Sequence, residues 1–213
     1  EFGQDQYEQI DEYCKKKCIN WFASCWDEQS VEFIEQFDTP FHKVASAMLT
    51  DTSFLTKLRR TCRPVILSTG MSTEEQVMKA VKVLGASTHT VMHCTSTYPT
   101  KPEEMNVSYI RNLKWQLDHD FGTETIKVGF SNHYSGILWV PLAVAMGATM
   151  LEFHLTLDRT LYGSDQAASI EPDGLKKLME SIRVSSTMLG DGKKVVYDSE
   201  VPIAKKLRKV DTL

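Results

Sequence analysis

Lys127-Val-Gly-Phe-Ser-Asn-His133, an amphipathic run over residues 134–147, then Ala148-Thr-Met-Leu-Glu-Phe-His154: this succession decides the fold. Each end is a short apolar strand closed by a histidine, and the middle has apolar residues at helical spacing. Set side by side as parallel neighbours, the two strands aim both imidazoles out of one end of a sheet. That is the end where α/β enzymes keep their chemistry.

The same alternation of periods continues outward in both directions. Short apolar strands are predicted at 21–24, 43–46, 65–68, 90–93, 127–130 and 149–153. Amphipathic helices are predicted at 7–17, 30–36, 52–61, 73–84, 102–117 and 134–147. A last stretch, 172–189, repeats Leu175, Leu178, Met179 and Ile182 at helical spacing and stops at Gly190. Asp51-Thr-Ser53, Ser72-Thr-Glu-Glu75 and Glu171-Pro172 mark helix starts with caps, early acids and a first-turn proline.

The strand spacing approaches the roughly 30 residues per unit of an eight-stranded βα barrel. We therefore expect an α/β fold: an incomplete (β/α)8 TIM barrel with six of eight βα units, lacking the two N-terminal ones. An open doubly wound sheet could be complete with six strands. Against it, no Gly-x-Gly-x-x-Gly turn follows any strand, and polar residues end almost all of them. Residues 1–190 are assigned to the partial barrel and the charged tail 191–213 to a linker.

Composition narrows the class of function. The chain has 213 residues, of which 42% are hydrophobic and 24% charged, enough to bury a substantial core as one unit. A formal charge of -4 gives no general attraction for nucleic acid or anionic lipid, so any phosphate site must be local. No apolar run reaches the roughly 18 to 20 residues of a membrane span. The opening Glu1-Phe-Gly-Gln-Asp-Gln has no signal-peptide pattern, so a cytoplasmic location is expected. Cys14, Cys18, Cys25, Cys62 and Cys94 are odd in number and irregularly spaced, which suits reduced thiols. Cys14 and Cys18 could form a zinc half-site, but no second Cys or His pair lies nearby.

The strand ends collect hydroxyls, one lysine and imidazoles: Lys43 with Ser46, Ser68-Thr-Gly70, His93-Cys-Thr-Ser-Thr-Tyr98, Ser131-Asn-His133 and Glu152-Phe-His154. Such a rim suits an anionic, phosphorylated ligand, because hydroxyls and backbone N–H groups bond phosphate oxygens and a lysine supplies a point charge. Each residue also has a plainer reading. Lys43 could cover apolar surface, Ser68-Thr-Gly70 could be only a turn, and His93 reads better as a hydrogen-bonded core histidine. His133 and His154 resist that treatment, since they occupy equivalent positions on successive strands and two imidazoles suit a divalent transition metal.

The segments Phe22-Ala-Ser-Cys-Trp-Asp27, Lys43-Val-Ala-Ser-Ala47, Leu67-Ser-Thr-Gly-Met71, His93-Cys-Thr-Ser-Thr-Tyr-Pro-Thr100, Gly129-Phe-Ser-Asn-His133, Glu152-Phe-His-Leu-Thr-Leu-Asp-Arg159 and Gly163-Ser-Asp-Gln-Ala-Ala-Ser-Ile-Glu-Pro172 resemble the sialic acid synthase family. These are the N-acetylneuraminate and related nonulosonate synthases, and the match runs in order over nearly the whole chain. The resemblance implies a (β/α)8 barrel that condenses phosphoenolpyruvate with an open-chain N-acyl amino sugar, such as N-acetylmannosamine, and releases phosphate. It implies that Lys43, Ser46, Ser68, Ser96 and Ser131 hold phosphoenolpyruvate and that Tyr98 and Asp165 line the sugar site. Under the same resemblance, His133, His154 and Lys43 are the catalytic group, and the two histidines bind a divalent metal, typically Mn2+, with Mg2+ or Co2+ as alternatives.

Departures from the family pattern accompany the match. Met48 stands where several relatives have an acid, and Gly163-Ser-Asp165 replaces a Gly-Pro-Asp. The family's first two strands, which supply a glutamate and a lysine, are not in this sequence. Neither is the C-terminal antifreeze-like domain, which in domain-swapped homodimers reaches the partner's site. The isolated fragment is thus expected to be inactive. Another metal-dependent phosphoenolpyruvate-condensing or aldolase-type barrel, and a non-catalytic phosphoenolpyruvate-binding fragment, are the alternatives.

Overall fold

The computed structural model describes residues 2–122 and 125–210. Five strands form one parallel sheet: β1 (His42–Val44), β2 (Val65–Ser68), β3 (Thr88–Cys94), β4 (Lys127–Ser131) and β5 (Met150–Glu152). Their spatial order is their chain order. A doubly wound sheet reverses direction at a switch point. Sequential order without a reversal is that of a βα barrel, here an open arc of one.

Among the described residues the helices are α1 (Gln4–Lys17), α2 (Glu28–Ile34), α3 (Thr52–Arg60), α4 (Glu74–Leu84), α5 (Tyr109–Phe121), α6 (Trp139–Ala145), α7 (Pro172–Leu189) and α8 (Val201–Leu207). Local chemistry sets their starts. The Asp51 carboxylate accepts from the N–H groups of Ser53 and Phe54, and Thr73 with Gln76 closes a capping box on α4. Alternate strand residues, Val44, Val65, Leu67, Val91, Val128 and Phe130, pack outward into one core with Leu55, Leu58, Val81, Leu113, Leu117 and Trp139 of the helices. Covering that face is what a parallel sheet needs.

The register carries the other alternate residues inward. Lys43 lies beside Ile66, Ser68 beside Met92, Cys94 beside Ser131, and Ser131 beside Glu152. The lower part of this inner face is apolar and surrounds a hollow of about 460 Å³ lined in part by Phe22, Ile66, Met92, Met150 and Phe153. At its middle, a Cβ on Gly129 would stand 2.3 Å from Met92 Sδ and 2.7 Å from the Met150 carbonyl oxygen. Glycine is what lets Met92 fill the arc there.

Several expectations need correction. Of the six expected strands, five form. The stretch 21–24 makes a single bridge, Ser24 to Lys43, at the outer edge of β1. Trp21 turns instead into an aromatic cluster with Tyr7 and Phe37, which draws its backbone away from the ladder. The expected strand 43–46 stops at Val44, because Ser46–Met48 coils into a 3-10 turn. The expected helix 102–117 splits: Pro102–Glu104 makes a 3-10 turn, Asn106 has a positive φ, and α5 starts at Tyr109. Helix 134–147 shortens to α6, while 172–189 forms as expected. All five cysteines are free. Among the described residues no helix is long and apolar enough to cross a membrane.

Candidate functional site

At the C-terminal ends of the strands a cleft of about 390 Å³ is lined by Lys43, Ser46, Ser68, Ser96, Tyr98, Ser131, His133, His154 and Asp165, together with Trp26, Cys94 and Glu152. All nine residues that the family resemblance assigned to the site therefore border one space. A larger hollow of about 620 Å³ opens next to it, between the ends of β2 and β3 and the helices that follow. Of these two, Lys43, His133 and His154 line the smaller, and that is where charge converges.

One side of the cleft is an anion cradle. Lys43 is buried, and its ammonium donates to Ser68 Oγ at 2.7 Å while standing 3.3 Å from Glu152 Oε2. The N–H of Gly70 donates to Ser46 Oγ at 2.9 Å. A Cβ on Gly70 would fall 1.9 Å from Ser96 Oγ and 2.8 Å from Ser46 Oγ, so the absence of a side chain keeps the space between the serines open. Thr69 locks this turn, donating from both its N–H and its hydroxyl to the Met92 carbonyl. Ser68-Thr-Gly70 is thus a strand-ending turn and a wall of the cleft at once.

The opposite side holds the imidazoles, with ring centroids 5.1 Å apart. His133 Nδ1 lies 2.8 Å from the Thr95 carbonyl oxygen, and His154 Nδ1 lies 3.1 Å from Asp165 Oδ2. With each Nδ1 turned toward an oxygen, each Nε2 is the ring nitrogen left to give electrons. This is the outer arrangement of metal-binding imidazoles. The pair fits a divalent ion with open positions, though among the described residues no group of three or more His, Cys, Asp or Glu is placed to hold one. Tyr98 covers both rings, 4.0 Å from His133 and 5.7 Å from His154 between centroids.

Proton affinities follow from these contacts. Burial pushes the His133 imidazole down, but the Cys94 thiol and Thr95 carbonyl outweigh it, and its pKa is raised. Cys94 shifts the other way: burial raises it, and its contact with His133 brings it below the ordinary thiol value. His154 is lowered, first by burial and then by the neighbouring His133. Burial pushes the Tyr98 phenol up to about 12, so it stays a neutral donor.

Glu152 and Cys94 are cleft members to which the sequence reading gave no role. Glu152 points inward beside Lys43, and Cys94 Sγ stands 3.8 Å from His133 Nδ1. Period two was the available signal, since Glu152 and His154 share one face of their strand, as do Met92 and Cys94. Met48 packs against the core instead of entering the cleft. His93 is a buried core histidine whose Nε2 lies 2.9 Å from the Met105 carbonyl oxygen.

Comparison with known proteins shows the family. The NeuB family model matches residues 1–194. The N-acetylneuraminate-9-phosphate synthase of Homo sapiens is 37% identical over 212 residues, which cover 98% of this chain and 57% of that protein. The N,N'-diacetyllegionaminic acid synthase of Legionella pneumophila is 32% identical, over 100% of this chain and 60% of its own length. The chain thus spans less than two thirds of these curated relatives. Among solved structures, the N-acetylneuraminic acid synthetase of Leptospira borgpetersenii superposes with a TM-score of 0.84 at 30% identity, covering 99% of this chain and 73% of that one. A truncated 3-deoxy-D-arabino-heptulosonate 7-phosphate synthase from Thermotoga maritima shares the fold, with a TM-score of 0.72 at 16% identity.

Proposed function

The chain belongs to the NeuB family, and from that premise we propose that its full-length protein condenses phosphoenolpyruvate with an N-acyl amino sugar, N-acetylmannosamine or a close relative, and releases phosphate. The observation that carries this reading is the division of one cleft into a lysine–serine cradle and an imidazole pair. Relatives named as sialic, legionaminic and pseudaminic acid synthases supply the reaction class.

Lys43 and the hydroxyls of Ser46, Ser68, Ser96 and Ser131 would hold phosphoenolpyruvate through its phosphate. When that dianion enters, the Lys43 ammonium turns to it from Glu152. C3 of phosphoenolpyruvate then attacks the sugar aldehyde carbon, whose oxygen must gain a proton, and Tyr98 and Asp165 orient the sugar beside the cradle. Water adds to C2 and gives up one proton, for which Glu152, released from Lys43, is the nearby acceptor. The tetrahedral carbon expels phosphate by C–O cleavage as its hydroxyl becomes the C2 carbonyl and passes its proton to the departing phosphate, and the lysine and serines stabilise the leaving charge by hydrogen bonds set in advance. A divalent cation, Mn2+ by preference with Mg2+ or Co2+ as alternatives, would be held by His133 and His154 and would polarise the aldehyde carbonyl as a Lewis acid. The full-length protein would act as a homodimer in the cytoplasm.

The test is direct. The full-length protein is incubated with phosphoenolpyruvate, N-acetylmannosamine and Mn2+, and both phosphate and a nonulosonic acid are measured. Finding neither, with this sugar or its 6-phosphate, refutes the reading.

A further inference from the structure

The two imidazoles stand on separate loops, and one guanidinium ties those loops together. Arg159, in the segment between β5 and α7, donates from Nη2 to Ser135 Oγ at 2.6 Å and from the same nitrogen to the Ala167 carbonyl oxygen. Its backbone N–H donates to Glu171 Oε1 at 3.1 Å, fixing the arginine to the start of α7. Ser135 follows His133 by two residues in the loop after β4. Ala167 sits in the 3-10 turn Gln166–Ala168, which Asp165 caps.

Hydrogen bonds knit that turn together. The Asp165 carbonyl accepts from the Ala168 N–H at 3.1 Å and from Ser169 Oγ at 2.8 Å, while the Asp165 carboxylate stands against His154 Nδ1. A line of direct contacts therefore runs from His154 through Asp165 and its turn to Arg159, and from Arg159 through Ser135 to the loop of His133. Both acceptors of the guanidinium are neutral, so what it contributes here is geometry more than charge. Arg159 does not line the cleft, and nothing in the reaction calls on it to touch substrate.

We infer that Arg159 is a positioning residue: it sets where the Asp165–His154 pair stands relative to His133, and so sets the affinity of the imidazole pair for a divalent cation. The inference rests on the metal-binding role proposed above. An arginine is suited to this because the two N–H bonds of Nη2 are fixed in the guanidinium plane and so reach two acceptors in a set relation, whereas a lysine keeps the charge without the plane.

The experiment compares the full-length protein with its Arg159→Ala and Arg159→Lys variants by three readouts. Mn2+ binding is followed by the electron paramagnetic resonance of the free ion, phosphoenolpyruvate binding by calorimetry, and the His154 Nδ1 proton by NMR of the metal-free protein. Arg159→Ala is expected to weaken Mn2+ binding about tenfold or more, the scale on which outer partners of metal ligands act. Phosphoenolpyruvate affinity should be essentially unchanged, because Lys43, Ser46, Ser68 and Ser96 lie on other elements and Ser131 is held in the β4 ladder, and Arg159→Lys should fall between the two. Wild-type Mn2+ affinity in Arg159→Ala, with only the melting temperature lowered, makes Arg159 a structural staple and overturns the inference. Equal loss of Mn2+ and phosphoenolpyruvate binding overturns it too, since the whole site has then been lost. If the wild-type protein binds no Mn2+, the metal-assisted reaction fails on its own, and the NMR readout decides. A His154 proton protected from exchange in wild type and exposed in Arg159→Ala supports positioning, and equal protection in both overturns it.

Discussion

Lys43 is held between a hydroxyl and a carboxylate in the resting protein, at 2.7 Å from Ser68 Oγ and 3.3 Å from Glu152 Oε2. Lys43→Gln keeps the length and a donor but removes the charge that meets the departing phosphate. Phosphate release by the full-length protein should fall about a hundredfold or more, the scale for losing one preorganised donor. Gly70 tests the same cradle from its floor. A methyl there meets Ser96 and Ser46, at an overpacking cost of about 1–3 kcal/mol. Phosphoenolpyruvate affinity in Gly70→Ala should therefore drop about tenfold or more, as titration calorimetry would read. His42 lies at the opposite end of the sheet, buried with its Nε2 2.9 Å from Glu35 Oε1, though the direction of approach makes no hydrogen bond. Burial lowers its pKa against the raising effect of Glu35, and Arg63 adds to the lowering. A folded pKa below the unfolded value of about 6.5 means the unfolded chain binds the extra proton first. This contribution is complete above pH 6.5 and is lost as pH falls below it. The urea midpoint of wild type should fall from pH 7.5 to 5.5 more than that of His42→Gln, and equal falls would contradict the assignment.

At the scale of elements, caps and periodicity made most of the helices legible, and their failures have local causes. Pro172 at the first turn and Gly190 at the end bound α7 at the residues the pattern indicates. No comparable signal announced the positive φ at Asn106, which breaks the expected long helix before α5. Strand 21–24 failed because apolar residues that could enter a ladder found a better partner in an aromatic cluster. In β4 one residue has no room for a side chain. Gly129 faces Met92 and the Met150 backbone so closely that Gly129→Ala should destabilise the protein by about 1–3 kcal/mol, read from denaturant melts. A neutral result would mean that β4 and β5 can separate, which their shared ladder argues against.

For the whole molecule, the sheet is an arc with two edges: the lone Ser24–Lys43 bridge at one and the short β5 at the other. Between them the apolar inner hollow stays open, and Phe22 beside it is 40% exposed. Unpaired edges and open apolar surface favour association. The 213-residue chain prepared alone should show concentration-dependent association in light scattering, and a monodisperse monomer would count against that view. The sequence by itself determined the βα alternation and the parallel sheet, and its strand ends offered Lys43, Ser68, His133 and His154, because hydrophobic period and strand-end chemistry are local properties of the chain; Asp165 entered only through the family resemblance. Only the tertiary structure decided that five strands form the arc, that Glu152 faces Lys43, and that Arg159 bridges the loops of the two imidazoles. Those outcomes depend on register and on the meeting of residues far apart in the chain, which no local pattern encodes.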